Sequence, residues 1–231
     1  MNYIIWNNKN SQSINGLLIS ELPPISKPQM RVKETVVDGV DGSVIEELGY
    51  ESYNKTIAVG LKNGADVDEI IEYFTGNGEI TFSNEPNKYY RATIINGIDY
   101  ARLLRYRVAT VTFRVQPFKY AKGEEEIFSN DGEQQITVTN NGNYTAKPLI
   151  TIKGAGMVIL SVNGNMVCQY TFPDGEDTVM LDSEKQDAYL GSLLRNRTMY
   201  GDFPILEKGD NVISWSGTVE KISVKRYNRW L

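Results

Sequence analysis

Short runs of alternating apolar and polar residues, closed off by Gly, Asn, Asp or Pro, fill this sequence almost from end to end. Alternation with a period of two sends successive side chains to opposite faces of an extended chain, so such runs fold as strands with one buried face. Arg31–Val37 is one such strand. It enters the turn-rich segment Asp38-Gly39-Val40-Asp41-Gly42 and leads into Ser43–Glu47, which together predict a hairpin. Lys55–Leu61 puts Ile57, Val59 and Leu61 on one face. In Arg105–Val115, Val111, Phe113 and Val115 face one way, while Tyr106, Val108, Thr110, Thr112 and Arg114 face the other. Pro117 is expected to end that strand, because proline cannot donate to a ladder. Gly78–Phe82 and Tyr89–Ile95 read as further strands around the loop Ser83–Lys88.

A period near 3.6 occurs once. Val67, Ile70, Ile71 and Phe74 fall at i, i+3, i+4 and i+7 and predict a short helix with one apolar stripe. Asp66 is its N-cap, Glu69 is placed to complete a capping box, and Gly76 sits where a left-handed C-terminal residue is wanted. A charged stretch at Ala121–Glu126 then marks a boundary. Beyond it the pattern predicts strands at Gln135–Val138, Pro148–Lys153, Met157–Val162, Met166–Phe172, Thr178–Leu181, Val212–Ser216 and Lys221–Tyr227, with no convincing helix. Asn163-Gly164 predicts a type I′ hairpin turn, and Gly154-Ala155-Gly156 is read as another hairpin turn. The fold class is therefore mainly β. Two β-sandwich-type domains are expected, at 1–122 and 123–231, the first carrying the single helix. A chain of 231 residues is long enough to form them without disulfide or metal staples.

The side-chain inventory narrows function by subtraction. Histidine is absent, which removes Ser-His-Asp and Cys-His nucleophile systems and imidazole-based metal sites. Cys168 stands alone in an alternating run, so no intrachain disulfide or CxxC site can form, and it is read as a buried strand thiol. Lys plus Arg is 24 against 29 Asp plus Glu, a net charge of −5 without the footprint of a nucleic-acid binder. No apolar run approaches the ~20 residues of a membrane helix. No targeting segment is visible either, since Met1–Trp6 runs at once into Asn7, Asn8 and Lys9.

The remaining constellations are weaker than their structural readings. Glu124-Glu125-Glu126, Glu176-Asp177 and Glu184 with Asp187 could be imagined as glycosidase pairs but read as solvated turns. Asp38–Gly42 lacks the alternating ligands and distal Glu of a calcium loop. Gly154 and Gly156 lack the third glycine and the following helix of a dinucleotide loop. No cofactor or metal is expected. Aromatic residues for stacking on a sugar are Tyr189, Tyr200, Trp215 and Trp230, of which Tyr200 is loop-like and Trp215 alternates with Ile213 as a core residue would. The C-terminal Lys225–Leu231 is locally basic and is expected to meet carboxylates or solvent.

Taken in order, these pieces resemble the distal tail proteins (Dit) of phages with long, non-contractile tails. The resemblance is carried by Gly16–Ile19, Leu22-Pro23-Pro24-Ile25, Val37–Gly42, the helix, Gly78–Phe82, Glu85–Tyr90 and Gln116-Pro117-Phe118. It continues through Asn140–Asn143, Pro148–Ile152, Gly209-Asp210-Asn211 and the final Arg-Trp pair. The family implies a non-enzymatic hub, made in the host cytoplasm and carried at the virion tail tip. Six copies would form a ring between the tail tube and the tail-tip, baseplate and receptor-binding proteins. It also implies a ring-forming N-terminal domain and a galectin-like, jelly-roll C-terminal domain. Asp38, Gly39, Val40, Asp41 and Gly42 are then the expected arm of an oligomer interface. Tyr200 and Trp215 are the candidates for a partner or sugar contact. The alternative function is a module binding host-wall glycans, although no histidine is present for a galectin-type sugar site.

Overall fold

The computed structural model describes residues 1–97, 105, 107–123, 126–129 and 132–231. The chain divides into two compact units, residues 1–122 with Leu231, and residues 123–230. Both are mainly β, and every strand pairing among the described residues is antiparallel. Of the predicted positions, Tyr106, Glu124 and Glu125 lie outside the described residues.

The first unit contains β1 (Ile4–Trp6), β2 (Lys9–Asn10), β3 (Leu17–Glu21), β4 (Met30–Val36), β5 (Ser43–Tyr50), β6 (Tyr53–Leu61), α1 (Val67–Tyr73), β7 (Asn77–Phe82), β8 (Lys88–Ile94) and β9 (Val108–Ala121). All of these strands except β4 and β5 join one sheet in the order β2-β1-β7-β8-β9-β6-β3. Alternation chooses its buried face. Ile57 and Val59 of β6 and Val111, Phe113 and Val115 of β9 are sealed from solvent, and they meet Trp6, Phe82 and Ile80 in one core. Edge contacts between Trp6, Phe82 and Phe113 rings, at 5.4 and 6.2 Å between centroids, fix that core's geometry.

Helix α1 lays Ile70, Tyr73 and Phe74 on the same core, while Ile71 remains partly exposed. Asp66 caps it, accepting from the Glu69 amide at 3.2 Å. The Glu69 carboxylate does not close the predicted capping box. It accepts instead from Lys9 Nζ and the Asn15 amide, tying the helix to β2 and the following turn.

Strand β9 corrects one expectation. It starts three residues later than predicted and runs straight through Pro117. β6 pairs with β9 only as far as Val115, and the register against β8 shifts between Tyr90 and Ala92, opposite Pro117. No ladder bond requires the N–H that proline lacks.

The second unit contains β10 (Ile127–Phe128), β11 (Gln135–Asn140), β12 (Leu149–Val162), β13 (Asn165–Thr171), β14 (Thr178–Asp182), β15 (Asp187–Leu190), β16 (Leu193–Leu194), β17 (Met199–Gly201), β18 (Gly209–Lys225) and β19 (Arg229–Trp230). Two long strands, β12 and β18, run through both of its layers. The C-terminal part of β12 pairs with β13, and the N-terminal part of β18 pairs with β11. The other parts of the two strands pair with β14 and β10 respectively. The layers are thus β11-β18-β12-β13-β17 and β10-β18-β12-β14-β15-β16.

The Gly154–Gly156 segment is accordingly not a hairpin turn, and the four predicted strands around it and around Gly217 are two bent ones. Register between β12 and β18 breaks at Lys153/Gly154 and at Ala155/Ile159. A Cβ on Gly154 would lie 2.3 Å from Thr218 O, and one on Gly217 would lie 2.2 Å from Met157 O. Only glycine lets the two backbones cross this closely as they turn the corner together. Ile150, Ile152, Val158, Leu160, Cys168, Tyr170 and Trp215 fill the space between the layers.

Candidate assembly surface

The sheet of the first unit leaves out one element. β4 and β5 pair only with each other, in the register Val32↔Glu47, Lys33↔Glu46, Glu34↔Ile45, Thr35↔Val44 and Val36↔Ser43. From Arg31 to Gly49 every residue of this arm is exposed. Paired side chains share a face, so Val32, Val36 and Ile45 lie on one face, and Val44 on the other with Thr35 and Lys33. Val44, Ile45 and Val36 are each more than 60% exposed. Glu34 and Glu47 accompany Val32, Val36 and Ile45 on the first face, and a two-stranded hairpin without a packed face is marginal in water.

The predicted residues Asp38–Gly42 form the tip of the arm. Gly39 and Gly42 have φ near +83° and +88°, which glycine adopts without strain, and the Val40 amide bonds Val37 O. Val40 projects at the end, 63% exposed.

Opposite the tip, the arm is rooted in a strap, Leu22–Gln29, that contains Pro23, Pro24 and Pro28. Proline has no N–H, so the strap offers carbonyls and the body supplies donors. Asn84 Nδ2 bonds Pro23 O at 3.0 Å and Lys55 Nζ bonds Pro24 O at 2.9 Å. Tyr53 OH reaches Ser26 O at 3.4 Å, and the Glu51 amide bonds Gln29 O at 2.8 Å.

Lys55 is only 2% exposed, and its ammonium lies over the rings of Tyr90, Tyr53 and Phe82 at 5.0 to 5.7 Å. Beside it, the buried Lys119 donates to Glu85 Oε1 at 2.5 Å, and Tyr90 OH donates to Glu85 Oε2 at 2.8 Å. Burial pushes the Lys55 ammonium down to about 8, with Glu85 opposing and Lys119 reinforcing the shift. Burial alone would raise the Glu85 carboxyl, but the bonds from Lys119 and Tyr90 outweigh it and hold it below its ordinary range. Burial and the bond to Glu85 raise the Tyr90 phenol, and burial raises Tyr53.

Sequence reading passed over this cluster although a signal was present. Lys55 shares the parity of Ile57, Val59 and Leu61; Lys119 shares that of Val111, Phe113 and Val115 only because β9 continues through Pro117. Two lysines on core faces require buried partners.

The second unit separates its two predicted contact residues. Tyr200 lies on β17, 78% exposed, paired with Gln169, while Trp215 is buried in the core beside Leu160. Cys168 is sealed in the same core, which pushes its thiol up to about 12. Glu176 is bound by Arg195 in a forked pair, and Asn196 bonds Asp187. No group of acidic or cysteine residues among those described could hold a metal ion. No helix among them is long and apolar enough to cross a membrane. In the basic C-terminal run the buried Arg229 bonds Thr145 O, while the half-buried Arg226 reaches Thr139 O and the half-buried Lys225 lies over Tyr227.

No protein-family model matches the chain. No curated protein matches it in sequence. Among solved structures it is similar to the crystal structure of SPP1 Dit, described as a paradigm of the hub adsorption apparatus in phages infecting Gram-positive hosts. That likeness has a TM-score of 0.68 at 14% identity and covers 98% of this chain and 99% of the other. A chain of the phage p2 baseplate in its activated conformation, with Sr, aligns at a TM-score of 0.46 and 12% identity, covering 97% of each. The chain thus has the fold of a phage distal tail protein across its whole length.

Proposed function

We propose that this chain is a structural hub of a phage tail tip, a non-enzymatic protein that closes into a homohexameric ring joining the tail tube to the tail-tip and receptor-binding apparatus. The observation that carries this reading is the likeness to SPP1 Dit over essentially the full length of both chains. The arm supports it independently. An element that exposes Val32, Val36 and Ile45 on one face and Val44 on the other, and that is unpartnered in its own unit, suits a ring in which each copy presents the same arm to the next. In this reading residues 1–122 build the ring with Asp38–Gly42 at the contact, residues 123–231 form the galectin-like outer domain, and the protein resides in the virion tail.

The test is assembly. Light scattering and electron microscopy of the purified chain, alone and mixed with tail-tube and tail-tip proteins, should show a six-fold ring. The double variant Val44→Asp, Ile45→Asp should remain a folded monomer and fail to close. Monomers under every condition with the unmodified chain would refute the reading.

A second reading, a module binding host-wall glycans, rests on Tyr200 alone, since Trp215 is turned into the core. Glycan-array binding lost in Tyr200→Ala would favour it.

A further inference from the structure

We propose that Lys55 is the positioning residue of a latch that clamps the proline strap Leu22–Gln29 and so holds the arm in the direction from which it engages a partner. The inference rests on the arm being an assembly element, but the latch itself lies within one copy. Three features carry it. Beyond the packing of Leu22, Pro23 and Pro28 and the contact of Lys27 with the Tyr50 ring, the strap is tied to the body through its carbonyls, those of Pro23, Pro24, Ser26 and Gln29, which need donors of the body. Among those donors Lys55 is the charged one, and it is caged by three aromatic rings. The nearby carboxylate bonds other donors: the two Glu85 oxygens accept from Lys119 and from Tyr90. Lys55 Nζ donates to Pro24 O at 2.9 Å, its one hydrogen bond among the described residues.

The cluster also makes the latch proton-linked. The groups facing Lys55 are Glu85, Lys119, Tyr53 and Tyr90, with Lys88 beside the Lys119–Glu85 pair. Two ammonium groups share one carboxylate, so the site buries a surplus positive charge. Lifting the strap would let water solvate Lys55, returning it toward its ordinary value of 10.5 from the value near 8 that it has when covered. Below pH 8 both states carry the proton, and the penalty on closure is fully present. As pH rises from 8 toward 10.5 the closed state sheds its proton first, and closure strengthens. The neutral amine still donates to Pro24 O, so the bond outlasts the charge.

The test is native-state digestion of the dilute, monomeric full chain by proteinase K, with cuts within 22–29 located by mass spectrometry and rates referred to an unstructured peptide of the same segment. In the unmodified chain strap cutting should slow at least tenfold between pH 7 and pH 9.5. Lys55→Met should abolish that dependence. At pH 11, above both values, the two differ by a donor and not by a charge, and there it should be cut several-fold faster than the unmodified chain. Asn84→Ala, which removes a neighbouring anchor without touching the charge, should speed cutting at every pH and keep the slope. A strap cut at a pH-independent rate in the unmodified chain, or equal rates for Lys55→Met and the unmodified chain at pH 11, would overturn the latch. Because the assay needs no partner, failure of the ring and failure of the latch are read separately.

Discussion

Two hairpins of similar sequence texture meet opposite fates in this molecule. β12 and β13 close through Asn163-Gly164, whose φ values of +52° and +81° suit a type I′ turn, and they bury Val158, Leu160, Cys168 and Tyr170 between two layers. β4 and β5 close through the longer Val37–Gly42 loop and bury nothing of their length between Arg31 and Gly49. Strand formation is common to both. The difference is the number of faces with a neighbour: β13 has one face committed to a core, whereas the arm exposes Val32, Val36 and Ile45 on one face and Val44 on the other. Alternation predicts extended chain, and only the surroundings decide whether that chain belongs to a core or to an interface.

Matched truncations should expose this difference most strongly. Leu160→Ala removes a side chain sealed in the core and should cost about 2–5 kcal/mol in chemical denaturation. Ile45→Ala on the exposed arm should stay within about 0.5 kcal/mol of the unmodified monomer. The arm substitution should reappear as a loss in assembly, on the order of 2 kcal/mol if Ile45 sits at the centre of the covered face. An arm truncation that destabilised the monomer as much as the core one would mean that the arm is packed in its own copy.

The two units should also respond differently to acid. Glu85, deep in the first unit, has its carboxyl held below the ordinary value of 4.5. A depressed native value means that the stabilisation is present above the unfolded value and is lost as pH falls below it, when Glu85 is protonated and Lys119 loses its partner. Melting curves followed by exchange of β8 and β9 amides should therefore show the first unit weakening below pH 4.5. Glu85→Gln should lower stability at neutral pH, by about 3–5 kcal/mol for a broken buried pair, and flatten the acid response. A second unit that weakened first, with Glu85→Gln matching the unmodified chain, would remove the buried pair from the account.

The same contrast explains what was legible in the sequence. Most strands, the helix with its Asp66 cap, the Asn163-Gly164 turn and the hairpin around Asp38–Gly42 follow from local patterns, and those patterns are realised. What escaped depends on neighbours distant in sequence. Pro117 is tolerated because β6 has already stopped and β8 shifts its register opposite it. Gly154–Gly156 bends a strand because Gly217 bends its partner at the same corner. The exposure of the arm is likewise invisible locally, since Val32, Val36 and Ile45 share a face as the residues of a core strand would. The Lys55 cluster was legible in part: parity places Lys55 on a buried face, but Lys119 lies beyond Pro117, and its partner Glu85 comes from a loop whose position only the fold supplies.

The smallest expected effect separates the two hairpins most finely. Gly39 at the arm tip and Gly164 in the core hairpin both have φ near +80°, and a Cβ at either would meet nothing within 4 Å. Substitution by Ala therefore adds backbone strain and no clash, about 1 kcal/mol at each site if the local conformation is kept. At Gly164 the conformation must be kept, because a two-residue turn fixes the register of β12 against β13, and that register places Leu160 and Cys168 in the core. Gly164→Ala should accordingly lower global stability by about the full amount. At Gly39 the six-residue loop can relax, and the arm opens without unfolding the sheet beneath it, so Gly39→Ala should leave the denaturation midpoint of the monomer unchanged. Exchange of arm amides should still register the strain locally. Equal losses of global stability at the two glycines would show that the arm unfolds together with the body.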